Sequence, residues 1–229
     1  MRLIGIASHG NGAGKTRLLT SVLEAHPGRF GAVKFTTVFR DGQFCPKDAR
    51  RRCACSRLHG ELEVVTDPAI LAQPDTDTGR MAAAGAHPLA WCLARPGAHA
   101  EAWEHVREIV GEAPELLTEG NTALQFIPAD VVLFIVNPAM PRRFWKPDWK
   151  DLAARAHVVL VNEAPEALGK REPAGREERL AAMHEVQDAA PATPRVIARL
   201  AEPFHAWAGP LLENLIGMSE AARPAIVRP

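Results

Sequence analysis

The segment that most constrains the fold is a glycine-rich turn between an apolar run and an amphipathic run. The residues Arg2–Ala7 are mostly apolar and rich in Ile and Leu, which is typical of a buried strand. From Lys15 to about Ala25, leucine and valine recur at helical spacing, so we predict a helix that ends at His26–Pro27–Gly28. A buried strand that passes through a glycine-rich turn into a helix indicates an α/β protein.

This turn has the composition of a P-loop. Its glycines let the backbone approach closely, and successive N–H groups at a helix N-terminus bind phosphate oxygens. Lys15 would neutralise β- and γ-phosphate charge, and the Thr16 hydroxyl would ligate Mg²⁺. The usual pattern begins with glycine, whereas this chain has His9, so a glycine-rich turn that merely ends in Lys-Thr is the alternative. The predicted nucleotide-binding residues of the loop are Gly10, Asn11, Gly12, Ala13, Gly14, Lys15 and Thr16.

The rest of the chain alternates strands with helices. Strands are predicted at 30–37, 61–66, 88–94, 115–118, 131–136, 157–161 and 195–200, and helices at 77–86, 99–110, 149–156, 176–189 and 210–218. This alternation predicts a three-layer α/β fold with a mainly parallel sheet, the P-loop NTPase fold. We predict one domain at 1–220, a Cys- and Arg-rich insertion at about 38–60, and a loose tail at 221–229.

Three further residues are candidates for the nucleotide site. Glu119 follows a predicted strand, where it would hold Mg²⁺ or its water, although it is otherwise an ordinary strand-end acid. Asp77 either orients Mg²⁺ or the attacking water, or caps the helix that follows. Asn162 ends another strand and is a candidate contact to the base, but no aspartate follows in register, so ATP and GTP are not distinguished. The candidate catalytic residues are Lys15, Asp77 and Glu119, and the candidate Mg²⁺ ligands are Thr16, Asp77 and Glu119.

Three of the four cysteines lie close together. Cys45, Cys53 and Cys55 have the spacing C-x7-C-x-C, and Cys92 on a predicted strand is either a fourth ligand or a buried thiol. Four cysteines predict a Zn²⁺ site or an iron–sulfur cluster of the 4Fe–4S type. Basic residues around the thiols favour thiolate and would also attract an anionic substrate. An anion site without metal, and an Arg-rich loop with incidental cysteines, therefore stay open.

Composition limits the partners and the compartment. The formal net charge is zero, so nothing global indicates binding to nucleic acid. No apolar run reaches the roughly 18 residues that a membrane span needs. The first strand passes directly into the P-loop without the features of a secretory signal, so we expect a cytoplasmic protein with reduced cysteines.

Three segments resemble the MobB family of P-loop GTP-binding adaptors in molybdopterin-guanine dinucleotide biosynthesis. They are the P-loop, Val33-Lys34-Phe35-Thr36 with the later Asp77-Thr78-Gly79-Arg80, and Leu116-Leu117-Thr118-Glu119-Gly120. The likeness covers about residues 1–137 and places the chain near the dimeric class of metal-insertion and signal-recognition GTPases. It implies a Mg–nucleotide site formed by Lys15, Thr16, Asp77 and Glu119, with Lys34 on the substrate side, and a homodimer that serves a metalloenzyme or cofactor-biosynthesis partner.

Three functions compete at this stage. The leading hypothesis is a slow, Mg²⁺-dependent ATPase or GTPase that assists maturation or delivery of a metal cofactor, of molybdenum-cofactor or iron–sulfur type. The second is a small-molecule kinase or ATP-dependent ligase of the dethiobiotin synthetase-like class, in which the Arg-rich loop binds an anionic acceptor. The third is a regulatory protein that uses the nucleotide only as a conformational switch.

Overall fold

The computed structural model describes residues 1–39, 57–111, 115–163 and 172–217. Most of the predicted insertion at about 38–60 and all of the tail at 221–229 lie outside these residues, so the domain boundaries stay a prediction. The strands are β1 Arg2–Ser8, β2 Gly31–Thr37, β3 Leu62–Val65, β4 Leu89–Ala94, β5 Glu115–Glu119, β6 Val131–Val136, β7 Val158–Val161 and β8 Arg195–Ile197. The helices are α1 Lys15–Ala25, α2 Pro68–Leu71, α3 Asp77–Ala83, α4 His99–Val110, α5 Ala123–Phe126, α6 Trp149–Ala154, α7 Arg176–Ala189 and α8 Gly209–Gly217.

The eight described strands form one sheet in the order β3-β4-β2-β5-β1-β6-β7-β8. All neighbours are parallel except β3 and β4, which are antiparallel. The prediction of a mainly parallel α/β sheet is therefore confirmed. Strand β1 lies between β5 and β6, with Ile6 opposite Glu119 and Ser8 opposite Ile135. Because parallel strands end at the same edge, the carboxyl ends of β1, β5 and β6 meet beside the glycine-rich loop.

Helices cover both faces of the sheet, as predicted for a three-layer fold. Alternate residues of a strand point to opposite faces, and in β1 Ile4 packs on one side while Leu3 packs on the other. The Ile4 side is covered by the apolar residues of α1 and α8. The other side is covered by α4, α6 and α7. The two apolar layers hold β1 rigidly, so the loop that follows it starts from a fixed point.

Two short helices were not predicted from the sequence. Helices α2 and α5 have four residues each, which is too few to show a helical period. Helix α2 begins where the Asp67 side chain accepts a hydrogen bond from the backbone N–H of Ala69. Several predicted elements are shorter than expected, including the strand predicted at 195–200, which ends at Ile197. Within the described ranges, the longest and most apolar helices fall short of what a membrane crossing requires.

Candidate nucleotide site

The loop from β1 to α1 has a backbone that only glycine adopts easily at two positions. Gly12 and Gly14 have positive φ angles of 87° and 111°. Gly14 is also tightly enclosed, because a Cβ atom there would lie 2.8 Å from Leu200 and 2.9 Å from the amide nitrogen of Asn162. Helix α1 begins immediately afterwards at Lys15. The backbone N–H groups of this turn and of the first helical residues are thus placed at a helix N-terminus, where they can bind an anion.

Two buried asparagines that follow strands β5 and β7 hold the loop. The Asn121 side chain, just beyond β5, accepts from the N–H of Ser8 at 3.1 Å and donates to the carbonyl of the same residue. The Asn162 amide, just beyond β7, donates to the carbonyl of Ala13 at 2.9 Å. Asn162 therefore supports the loop backbone, and its predicted contact to the base stays a prediction. Sequence reasoning missed Asn121, although an amide directly after Glu-Gly at a strand end was a usable signal.

The Lys15 ammonium group lies over the loop itself. It donates to the Ser8 hydroxyl at 2.9 Å and to the Gly10 carbonyl at 3.4 Å. Burial lowers the pKa of Lys15 to about 8, and the attraction of Glu119 offsets only part of this effect. A phosphate group placed here would restore the missing counter-charge and favour the protonated amine.

Three of the predicted site residues meet at one point. The Thr16 hydroxyl lies 3.1 Å from Asp77 Oδ1 and 3.0 Å and 2.9 Å from the two carboxylate oxygens of Glu119. Glu119 is fully buried, whereas the Asp77 side chain is 40% exposed. One hydroxyl and two carboxylates are the oxygen ligands that Mg²⁺ prefers. The donor set therefore fits the predicted Mg²⁺ site, and the partial exposure of Asp77 leaves that side open to solvent.

Lys34 supplies the positive charge between the two acids. Its ammonium group is 2.8 Å from Asp77 Oδ2 and also pairs with Glu119. Burial opposes the charge on Lys34, but attraction to Glu119 and Asp77 outweighs it, so the pKa of Lys34 is raised. For Asp77, burial is likewise outweighed by Lys34, and its pKa is lowered. Lys34, on β2, thus stabilises the two carboxylates in their charged forms.

Asp77 is not the N-cap of α3. The cap is Thr76, whose side-chain oxygen accepts from the backbone N–H of Gly79 at 2.9 Å. A Cβ atom at Gly79 would lie 2.1 Å from the Gln73 carbonyl oxygen, so the turn requires glycine there. The capping alternative for Asp77 is therefore wrong. Asp77 occupies the first turn of the helix, with its carboxylate directed to Lys34 and Thr16.

The predicted cysteine site falls mostly outside the described residues. Cys45, Cys53 and Cys55 all lie between residues 40 and 56. Cys92 is a buried free thiol on β4, and burial raises its pKa to about 12. Within the described ranges, no group of three or more His, Cys, Asp or Glu side chains is arranged to hold a metal. Binding of Zn²⁺ or an iron–sulfur cluster by Cys45, Cys53, Cys55 and Cys92 stays a prediction.

Comparison with known proteins gives weak likenesses only. No protein-family model and no curated protein matches the chain. Among solved structures, the Zn(II)-bound triple mutant of the YjiA GTPase matches with 11% identity and a TM-score of 0.43, over 86% of this chain and 57% of that one. The MinD cell division protein of Aquifex aeolicus matches with 16% identity and a TM-score of 0.41, over 96% of this chain and 98% of that one. The MinC:MinD complex of the same organism matches with 15% identity and a TM-score of 0.43, over 98% and 99%.

At these identities and TM-scores, the likenesses carry no information about activity or partners. The fold is instead established by the order of the strands and the contacts of the loop in this structure. A parallel sheet places the strand–loop–helix unit of β1 and α1 at its centre, and the acid at the end of β5 lies next to the loop. The chain has the α/β fold of a P-loop NTPase.

Proposed function

We propose that this chain binds ATP or GTP with Mg²⁺ and hydrolyses it slowly. The observation that carries the proposal is the convergence of Thr16, Asp77 and Glu119 within hydrogen-bond distance, directly beside the glycine-rich loop. A chance Gly-Lys-Thr turn would not be expected to have a fully buried carboxylate directed at its threonine. Burying a carboxylate is costly unless cations or strong donors satisfy it, which argues that this one has a role.

Each residue of the site has a chemical task in this proposal. The loop N–H groups bind phosphate oxygens, and Lys15 neutralises the β- and γ-phosphates. Thr16, Glu119 and Asp77 would hold Mg²⁺, which when bound neutralises the charge that develops on the phosphates. The half-exposed carboxylate of Asp77 orients a water at the open side of the site. Lys34 neutralises both acids in the free protein, so a bound Mg²⁺ would compete with it for these carboxylates.

Nucleotide titration tests this proposal. The dissociation constants of ATP, GTP and their diphosphates are measured by calorimetry with and without Mg²⁺, and phosphate release is followed in parallel. Lys15→Ala should weaken binding roughly 10- to 100-fold, because it removes a charge-assisted hydrogen bond in a partly dry site. Lys150→Ala, at an exposed lysine of α6, is the matched control and should bind as the wild type does. Absence of nucleotide binding in the wild type would refute the proposal.

For the biological role, we propose a MobB-like protein that assists metal-cofactor maturation or delivery as a homodimer. The support is the resemblance in sequence, together with the meeting of Lys34, Asp77 and Glu119 from two of the resembling segments. In this proposal the four cysteines hold Zn²⁺ or an iron–sulfur cluster. Metal and sulfide analysis of anaerobically purified protein tests the cysteine site, and light scattering with and without nucleotide tests the dimer. If the protein is a metal-free monomer that still hydrolyses nucleotide, this biological role is refuted, whereas the proposed nucleotide site is not.

A small-molecule kinase or ligase is the second candidate. The Lys34 ammonium beside the partly exposed Asp77 favours it, because a cation at the open side of the site could assist transfer to an acceptor. In that case nucleotide turnover requires a small anionic acceptor and is stoichiometric with it. Turnover that is unchanged by a panel of phosphorylated and carboxylated acceptors would exclude this candidate.

A further inference from the structure

The loop between β6 and α6, residues 137–148, is attached to the beginning of the P-loop. Trp145 forms an isolated antiparallel β-bridge with Gly10. The backbone N–H of Lys146 donates to the His9 carbonyl at 2.7 Å. A Cβ atom at Gly10 would lie 2.8 Å from the carbonyl oxygen of Phe144, so the two backbones touch. This β6–α6 loop is thus positioned by the same residues that begin the phosphate-binding turn.

Side-chain packing fixes the attachment. The buried His9 ring meets the Trp145 ring edge-on, with centroids 4.3 Å apart, and its Nδ1 lies 3.3 Å from the Ile135 carbonyl oxygen. Burial lowers the pKa of His9 to about 3, so the ring is neutral and acts as a packing element. The Trp145 indole N–H donates to the Met140 carbonyl at 2.9 Å. The position of the next residue, Lys146, is therefore determined by a rigid local structure.

An arginine braces the β6–α6 loop from outside. The Arg142 guanidinium lies 4.1 Å from the centre of the Trp145 ring and pairs with Glu185 on α7. This ties the loop to the helical layer as well as to the P-loop. The loop that carries Lys146 is thus held by the P-loop on one side and by α7 on the other.

The charge around Lys146 is unbalanced. Lys146 is half-buried, and burial lowers its pKa, with a further contribution from Lys34 and an opposing one from Asp148. The positive charge of Lys146 also contributes to the lowered pKa of Lys15. Asp148 accepts a hydrogen bond from the Gln125 side chain at 2.7 Å, and Asp77 and Glu119 are both paired with Lys34. Three ammonium groups therefore lie within electrostatic reach of one another, and within the described residues no hydrogen bond or ion pair of the Lys146 ammonium is found.

We propose that Lys146 binds the terminal phosphate of the bound nucleotide and makes the site prefer a triphosphate to a diphosphate. This rests on the proposed function. The assignment to the terminal phosphate follows from its neighbours. Lys15 reaches the β- and γ-phosphates in a P-loop, and Lys34 lies at the candidate Mg²⁺ ligands, which also face that end of the nucleotide. A phosphate bound between these lysines would give the Lys146 ammonium an ion-pair partner, which it lacks among the described residues.

The test compares triphosphate with diphosphate affinity in matched variants. Lys146→Met should weaken binding of the non-hydrolysable triphosphate analogue roughly 10- to 100-fold, the usual range for a lost charge-assisted hydrogen bond, and change diphosphate binding less than about threefold. Lys150→Met, which removes the same charge from exposed α6, should change neither. Lys146→Arg should retain most of the preference. Thermal unfolding of each variant checks the fold, and Lys146→Gln provides a second variant with a smaller change in packing.

The outcomes separate this inference from the function on which it rests. If the wild type binds triphosphate and diphosphate but the Lys146 variants keep the wild-type ratio of the two affinities, the inference is wrong and the proposed function stands. If the wild type binds neither nucleotide, both fail. A ratio that falls in Lys146→Met and Lys146→Gln but not in Lys150→Met supports the inference.

Discussion

Strand β5 begins and ends with a glutamate, and the two carboxylates are neutralised in different ways. At the amino end, Glu115 pairs with Arg2 at 2.9 Å and with Arg29. Both guanidinium groups also donate to the carbonyl of Ile216, at the end of α8, at 2.9 Å and 3.0 Å. This cluster therefore ties β1, β5 and the last described helix together, and the carboxylate of Glu115 is neutralised within the protein.

At the carboxyl end, Glu119 is fully buried, and no arginine of the described residues pairs with it. Its partners are the Lys34 ammonium and the Thr16 hydroxyl, and both of these can be replaced by a metal ion or its ligands. Arginine presents a rigid fork that holds a carboxylate in one geometry, whereas lysine is a point charge on a flexible stem. The type of cation therefore distinguishes an ion-pair cluster that stabilises the fold from a site that a ligand can enter.

The largest expected effect is at the carboxyl end of β5. Glu119→Gln should lower Mg²⁺-dependent nucleotide hydrolysis by a factor of about 100 or more, because it removes a buried charge from the candidate metal ligands while keeping the shape. Steady-state phosphate release against Mg²⁺ concentration measures it. Glu115→Gln, the same substitution at the other end of the strand, should leave the rate within about twofold of wild type. Equal losses of hydrolysis in the two variants would contradict a specific role for Glu119 at the nucleotide site.

Removal of the Lys34 ammonium should lower the stability of the ligand-free protein. Lys34→Met leaves the buried Glu119 without its cation, so the free energy of unfolding without ligand should fall by about 3 kcal/mol. Mg²⁺ should restore part of this loss, because a ligand that binds only the folded state stabilises it. Urea unfolding with and without Mg²⁺ measures both effects. Arg29→Met, which keeps the candidate Mg²⁺ ligands, is the control, and Mg²⁺ should stabilise it no more than it stabilises the wild type.

The amino end should affect stability alone. Glu115→Gln should lower the free energy of unfolding by about 2 kcal/mol, through the loss of charge-assisted hydrogen bonds to Arg29 and Arg2. Burial raises the pKa of Glu115, but these arginines outweigh it and hold the pKa below its ordinary value of 4.5. The wild type should therefore lose this stabilisation as the pH falls below about 4.5, whereas the variant should not. Urea midpoints between pH 3 and pH 7 provide the measurement.

The smallest effect concerns Lys15. Its pKa of about 8 in the free protein means that the amine loses its proton just above neutral pH. Phosphate binds the protonated form, so nucleotide affinity should fall as the pH rises above about 8, by up to about tenfold per pH unit until the pKa of the complex is reached. Lys15→Arg should bind with a flat pH profile over the same range. The same slope in both proteins would assign the titration to another group.

The sequence predicted the features that local pattern controls. The P-loop is recognisable because strand, glycines, lysine and helix follow one another directly. Glu119 was predicted as a site residue because it follows a predicted strand, where an acid can hold Mg²⁺ or its water, and the structure places β5 next to β1 with Glu119 at Thr16. The three-layer parallel fold followed from the alternation of elements. These inferences require only the order of residues along the chain and the expectation that acidic ligands lie where strands end.

Other features depend on which distant segments meet, and the sequence does not encode this locally. The pairing of Lys34 with both acids joins β2, α3 and β5. Asn121 was missed because its partner Ser8 is distant in sequence. The bridge between Trp145 and Gly10 joins the β6–α6 loop to the P-loop. Each of these contacts is specified by packing across the sheet rather than by a motif.

The contact between His9 and Trp145 has an evolutionary consequence. The histidine at the position where a P-loop usually has glycine fills the space beneath the tryptophan ring, and the tryptophan in turn positions the loop that lies against Gly10. Replacing either aromatic side chain alone would leave a void beside the phosphate site, so a lineage should lose both or keep both. Among descendants of the same ancestor, an unusual first residue of the P-loop should be inherited together with a tryptophan more than a hundred positions away.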